Sequence, residues 1–439
     1  MNGARELALA VVRDVFPPPD SPAIERTAQA AFDYRARRSQ LSERDRAFAA
    51  ELAYGAIKMR RALDWQLQPF VSAQLTPAIR EILRLASYEL LYTRADVHAT
   101  VFEFVNLAKR YGHRGLANLV NAVLRNLLRA NPGDLARASF ESEDEYLGTR
   151  YSLPEWLVRQ WRELFGDQLE AVCDGVNRPA QPAIVVNAIK STVEEAAERL
   201  RAVGIEARRS AIVGEVLLVE RGFARVESES RWWPQSESSA MAVDVLGPQP
   251  GEAILDVCSG RGNKALQIGA RLAGHGDLFC IERDERRVAT LARRLDEGGV
   301  AASLVTGDAS TEVVPADRRF DRVLVDAPCS GLGVVGRHPE ARWKKQGTDG
   351  ERLALTQRAL LEQAARHVYP GGVLVYAVCS TDPRETSEVI DWFLARQNFE
   401  RGLIPAEYAS FSTRAGDVLV PPGLEGRDGF YIARVERRP

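Results

Sequence analysis

Two hydrophobic rhythms divide this chain of 439 residues, and the switch between them narrows the folds open to it. Through residues 1–130, apolar side chains recur three and four positions apart, in LALAVVRDVF, RAFAAELAYGAI, IREILRLASYELLY and HATVFEFVNLAKRYG. That spacing lines one face of a helix. Runs of β-branched residues are few, and Ser42 offers a hydroxyl cap ahead of ERDRAFAAEL. The expectation is an all-α bundle of six or seven helices. From residue 250 short apolar runs alternate with helical stretches: AILDVC, DLFCIERD, ASLVTGD, FDRVLVDAP and GGVLVYAVC. Such strand–helix alternation winds into a mostly parallel sheet covered on both faces. The tail DGFYIARVERR alternates apolar with polar residues and is expected to pair antiparallel at the sheet edge.

Between these parts, residues 131–150 break the pattern with the turn Asn131-Pro132-Gly133 and an acidic run from Glu141 to Glu145. Residues 151–245 begin as a helix, LPEWLVRQWRELFG, and then change period. AIVVN, EARRS and EVLLVE read as strands. Ser191 and Glu194 read as a capping box for a helix stopping at Gly204. A small β-α-β-β layer fits. The expected organisation is a helical bundle over 1–135, a small α+β domain over 150–245 and an α/β doubly wound domain over 246–439.

Composition excludes several classes. Hydrophobic residues at 45% and charged residues at 27% suit a globular chain. No run of 18 apolar residues exists to span a membrane. Glu6, Arg13 and Asp14 interrupt the first apolar stretch, which reads as an amphipathic helix and not a signal peptide. The five cysteines, Cys173, Cys258, Cys280, Cys329 and Cys379, are odd in number and lack CxxC spacing. They suit neither a disulfide framework nor a metal site, and point to a reducing cytoplasm. Residues 1–130 hold 19 Lys+Arg against 13 Asp+Glu, while the rest of the chain is net acidic. The excess gathers at Lys109, Arg110, Arg114, Arg125 and Arg129 against Glu103. A polyanion partner and an ordinary solvated helix face explain that patch equally well. Nothing demands more than a monomer.

The chemistry falls at strand ends. The first βα turn runs Asp256-Val-Cys258-Ser259-Gly260-Arg261-Gly262-Asn263-Lys264, with glycines where a ligand must approach the backbone. Glu282 ends the second strand, 22 residues after Gly260, where a carboxylate holds ribose hydroxyls, and Asp308 ends the third. Together they describe an adenosine-containing cofactor. The loop alone also satisfies a loose dinucleotide pattern, so a nicotinamide cofactor remains open at this point. Cys329 follows the fourth strand in Asp326-Ala-Pro-Cys329-Ser, and Cys379 ends the fifth in Tyr376-Ala-Val-Cys379-Ser. Cys173 and Cys280 suit core positions. Cys329 and Cys379 do not, since each lies in a crevice where doubly wound sheets bind ligands. A thiolate there could add to carbon 6 of a pyrimidine and make carbon 5 nucleophilic toward a methyl donor. Asp326 is placed to stabilise the adduct near ring N3.

DAPCSG, YAVCST, GVVGRHPEARW, WWPQSESSAMAV and the tail resemble the Nol1/Nop2/Sun family of RNA cytosine-C5 methyltransferases. LSERDRAFAAELAYGAIK, RLASYELLY and LVNAVLRNLLR resemble a NusB-like helical RNA-binding domain. The pairing implies the Sun branch of that family, with S-adenosylmethionine as cofactor and a loop cytosine in the head of 16S ribosomal RNA as substrate. The resemblance makes Cys379 the nucleophile and gives Cys329 a part in product release. Spacing alone does not tell the two apart. The cofactor would touch Cys258 to Lys264, Glu282, Asp308 and Asp326. One departure stands out: the family's turn usually reads CAAPGGK, and here Arg261 and Asn263 replace a Pro and a Gly. The target base must leave its stack to reach a thiolate. Arg337-His338-Pro339 and the run Arg342 to Lys345 are candidates for gripping flanking nucleotides. Two other readings are a nicotinamide-dependent oxidoreductase and a non-catalytic RNA-binding assembly factor.

Overall fold

The computed structural model describes residues 3–18, 26–71, 74–130 and 135–439. Asn131-Pro132-Gly133 lies outside them. The first part is helical: α1 (Ala4–Val15), α2 (Ala28–Ala36), α3 (Glu43–Lys58), α4 (Arg60–Leu67), α5 (Pro77–Tyr92), α6 (Val97–Tyr111) and α7 (Arg114–Ala130). In α7 the buried set Val120, Val123, Leu124 and Leu127 follows the helical period. Ser42 caps α3, its hydroxyl accepting from Asp45 N at 3.1 Å. Buried Glu89 on α5 ties three helices, accepting from Arg5 Nε at 2.9 Å and Thr100 Oγ1 at 2.6 Å. Helices continue as α8 (Glu143–Arg150), α9 (Glu155–Phe165) and α10 (Leu169–Gly175). Glu143, Asp144 and Glu145 of the acidic run form the first turn of α8, capped by Ser142, where negative charge suits the helix dipole.

Contacts divide the chain into two units. One is Met1–Asn177 with Arg337–Lys345; the other is Arg178–Gly336 with Gln346–Pro439. The second opens with β1 (Ala183–Val186), α11 (Val193–Ala202), β2 (Glu206–Arg209), β3 (Val216–Arg221) and β4 (Trp232–Pro234). They build a sheet of order β2-β3-β1-β4, antiparallel throughout. The fourth strand goes beyond the expected β-α-β-β layer. It pairs Trp233 with Val185, burying a ring that a loop would leave wet. The capping box of α11 sits one residue later than expected. Thr192 Oγ1 accepts from Glu195 N at 3.1 Å, and the Glu195 carboxylate accepts from Thr192 N at 3.1 Å. Ser191 is buried and donates to Thr192 O instead.

After α12 (Glu237–Leu246) come β5 (Ala253–Asp256), α13 (Asn263–Leu272), β6 (Asp277–Glu282), α14 (Glu285–Gly298), β7 (Ser303–Thr306) and β8 (Phe320–Asp326). The short α15 (Ala341–Lys344) belongs to the helical unit. Then follow α16 (Asp349–Arg366), β9 (Val368–Val378), α17 (Ser387–Leu394), β10 (Phe399–Arg401), β11 (Val418–Val420) and β12 (Phe430–Arg437). The large sheet runs β10-β12-β9-β8-β5-β6-β7, with β11 on β12. Strands β5 to β9 are mutually parallel, and β12 is antiparallel to β9. β12 is not the edge, contrary to expectation. Phe430 to Ala433 are all buried, so both faces of β12 need cover. The three-residue β10, with its charged Glu400 and Arg401, makes the safer edge. The chain order reverses at β5, which lies between β6 and β8, and a crevice opens at such a switch point.

The Arg337–Lys345 segment corrects one expectation. Arg342 is fully buried within the helical unit, donating to Ser152 O at 3.2 Å, Val176 O at 2.9 Å and Asn177 Oδ1 at 2.7 Å. Trp343 Nε1 donates to Ile57 O at 2.7 Å, and Lys344 Nζ to Arg26 O at 3.0 Å. Ile57 and Val176 stand at the ends of α3 and α10, where carbonyls lack partners within their helices. Arg342 and Trp343 close helix ends, and Lys344 ties down the chain ahead of α2, so this run is engaged within its own unit.

Candidate active site

The site begins where β5 ends. Gly260 and Gly262 adopt φ of +58° and +89°, the left-handed region that glycine enters freely. The turn folds back so that Gly260 N donates to Glu282 Oε2 at 2.9 Å, while Glu282 Oε1 accepts from Asp284 N at 2.9 Å. The tips of β5 and β6 are thereby locked together. A side chain added at Gly260 would meet no protein atom within 4 Å, because it would stand in open crevice. One at Gly262 would strike Leu291 Cδ1 at 2.6 Å, so that glycine serves packing.

A crevice of about 330 Å³ lies over the strand tips. It brings together Cys258, Gly260, Glu282, Asp308, Asp326, Cys329 and Cys379 from the sequence expectations. Asp308 is exposed, and its carboxylate is held below the usual range by the Ser310 hydroxyl and amide. Lys264 stands behind the lining and reaches it through Asp326, Nζ to Oδ2 at 2.6 Å. Ser259 is buried, its amide on Ile281 O and its hydroxyl on Asp256 O. Arg261 and Asn263 line a separate depression with Trp233 and Arg294. Asn263 Oδ1 accepts from Arg294 Nη1 at 2.7 Å, and Asn263 Nδ2 donates to Pro234 O at 3.2 Å. The two departures from the family's turn therefore fall outside the crevice lining.

Across the crevice, Cys329 Sγ and Cys379 Sγ lie 3.3 Å apart, each half-buried. Contact with Cys379 pushes the Cys329 thiol well above its ordinary value, and burial adds to this. Either thiol can donate to the other across this contact. Cys173 and Cys280 are fully buried.

Comparison with known proteins identifies the family. Residues 243–436 match the family described as 16S rRNA methyltransferase RsmB/F, residues 2–129 the NusB family, and residues 153–226 an RsmF/B-like ferredoxin-like domain. The ribosomal RNA small subunit methyltransferase B of Thermus thermophilus is 35% identical over 413 residues, covering 93% of each chain. The chain belongs to the ribosomal RNA small subunit methyltransferase B family. The probable ribosomal RNA small subunit methyltransferase B of Bacillus subtilis is 30% identical over 416 residues, 91% of this chain and 92% of that one. The crystal structure of PH0851 shares the fold with a TM-score of 0.80, at 24% identity over 99% of this chain and 98% of that one. Membership in the methyltransferase B family sets aside the nicotinamide-dependent reading.

Two residues of this family member escape sequence reasoning. Glu385 is fully buried behind the two cysteine loops. Its Oε1 accepts from Ser330 N at 2.8 Å and Gln357 Nε2 at 3.0 Å. Its Oε2 accepts from Ser380 Oγ at 2.6 Å and from the Ser330 hydroxyl. Ser330 and Ser380 follow Cys329 and Cys379, so one carboxylate fixes both sulfurs. No spacing in the sequence signals this. Asp256 is the second. It is fully buried, neither carboxyl oxygen has a protein partner, and its pKa is pushed up to about 7. Burial is the main cause; the charges of Asp326 and Glu282 add to it, against Ser259 and Lys264. Its place at the end of β5 was a legible signal.

Proposed function

We propose that this chain methylates carbon 5 of a cytosine in 16S ribosomal RNA, using S-adenosylmethionine and a transient bond from Cys379 to carbon 6. The observation that carries the reading is the pair of sulfurs 3.3 Å apart in a crevice at the switch point. The residues fit the cofactor: Gly260 leaves its cradle open, and buried Asp256 has two oxygens without protein partners beside it. Gly260, Glu282 and Asp308 would hold it, and when bound it supplies an electrophilic methyl group.

The chain's own residues do the rest. The Cys379 thiolate adds to carbon 6, and the electron pair of the 5,6 double bond moves into the ring, making carbon 5 nucleophilic. Asp326, tethered by Lys264, stabilises the proton near ring N3. After methylation a base in the crevice takes the carbon 5 proton, the electron pair of that C–H bond restores the 5,6 double bond, and the carbon 6–sulfur bond breaks as the thiolate leaves. Cys329, next to the departing sulfur, assists this release. The helical domain over 1–135 and the small domain over 150–245 contact RNA, and the domain over 246–439 carries out the transfer.

The test is methyl transfer to a 16S ribosomal RNA transcript, read by tritium incorporation and bisulfite sequencing. Cys379→Ala is expected to abolish transfer while S-adenosylhomocysteine still raises the melting temperature. Transfer that survives Cys379→Ala would overturn the covalent reading. Absence of any transfer by the unaltered chain would favour an RNA-binding assembly factor.

A further inference from the structure

A groove of about 680 Å³ runs between α6 and α7 in the helical unit, and the proposed chemistry makes no use of it. Val97, Val101, Val105 and Leu128 give it an apolar floor. Phe102 stands 63% exposed, the most exposed aromatic ring among the described residues. His98 lies one helical turn before it. An apolar ring left in water beside an apolar groove marks an interaction surface.

The rim decides what comes to it. Lys109, Arg125 and Arg129 line the groove and are exposed. Lys109 Nζ bonds Asn106 Oδ1 at 2.9 Å, Arg125 Nε bonds Asn121 Oδ1 at 3.1 Å, and Arg129 bonds Asn126. Among the described residues no carboxylate lies within ion-pair distance of these three, although many arginines elsewhere pair with acids. The side-chain amides of Asn106 and Asn121 keep N–H donors for other partners. Cations in want of phosphates, amide donors and an exposed ring are the parts of a single-strand platform. A duplex could meet the cations but keeps its bases away from the ring.

We infer that the α6–α7 groove binds single-stranded RNA, with a base on Phe102 and phosphates on Lys109, Arg125 and Arg129. The inference rests on the reading that ribosomal RNA is the substrate, and adds a second RNA-binding surface remote in sequence from the chemistry.

The experiment uses the full chain without cofactor and a fluorescein-labelled 12-nucleotide RNA of mixed sequence, with a hairpin duplex for comparison. All substituted side chains are exposed, so the fold is kept. Phe102→Ala is expected to weaken single-strand binding roughly fivefold to a hundredfold, the range of base–aromatic stacking, and to leave duplex binding unchanged. Arg125→Gln with Arg129→Gln should lower the slope of log Kd against log salt by about 1.4, at about 0.7 for each phosphate no longer neutralised. Single-strand affinity within twofold of the unaltered chain in Phe102→Ala would overturn the groove while methyl transfer stands. So would an acidic amphipathic peptide that RNA fails to displace. Loss of binding in Phe102→Ala by a chain that methylates no RNA would uphold the groove and sink the proposed function.

Discussion

Two sulfurs in van der Waals contact cannot both carry a negative charge at small cost, so one thiol must serve as donor. In the chemistry proposed above, Cys379 is the attacking atom and Cys329 serves release. Cys329→Ala should therefore permit attack and impair release. A denaturing gel is expected to show a slowly migrating protein–RNA species for this variant and none for Cys329→Ala with Cys379→Ala. Asp256 makes a second prediction. An acid whose folded pKa is raised to about 7 binds more protons folded than unfolded, so stability falls as pH climbs from about 4 through 7. Asp256→Asn removes that slope. Its melting temperature should change less between pH 5 and 8 than the unaltered chain's. The positions of both cysteines were legible because strand ends follow from hydrophobic rhythm. Glu385 was not, because its burial depends on donors from Ser330, Gln357 and Ser380, which only the folded chain gathers.

At the level of elements, strands of four residues or more announced themselves and the shortest did not. β5 to β9 span four to eleven residues, whereas β4, β10 and β11 span three residues each and carry too little pattern to read. The loops after β8 and β9 owe their mutual position to one carboxylate. Glu385→Gln places an N–H where the Ser330 and Ser380 groups donate. We expect kcat to fall roughly tenfold or more with KM nearly unchanged, since misplaced reacting groups cost rate before binding. An unchanged kcat would show that the loops hold without the carboxylate. α15 carries the other prediction. Arg342→Ala strands the carbonyls of Ser152 and Val176 in the interior, a loss of about 2–4 kcal/mol that urea unfolding would register. The basic run read as a nucleic-acid contact because sequence shows charge but not which helix ends lack a donor.

For the molecule as a whole, hydrophobic period was enough to announce helical, small α+β and doubly wound parts. It gave no hint that the helical unit recovers nine residues from far along the chain. A fragment of residues 1–177 therefore lacks part of its own interior. It should melt below the corresponding transition of the full chain, and a synthetic peptide of residues 337–345 added in trans should raise its melting temperature. The gene for such a helical unit is written in two separated stretches. Recombination that exchanged only the 5′ part between distant relatives would pair a new set of helix ends with an old Arg342 and Trp343. Hybrids of that kind should be selected against unless the short second stretch travels too, which makes residues 337–345 a hidden passenger in any shuffling of these domains.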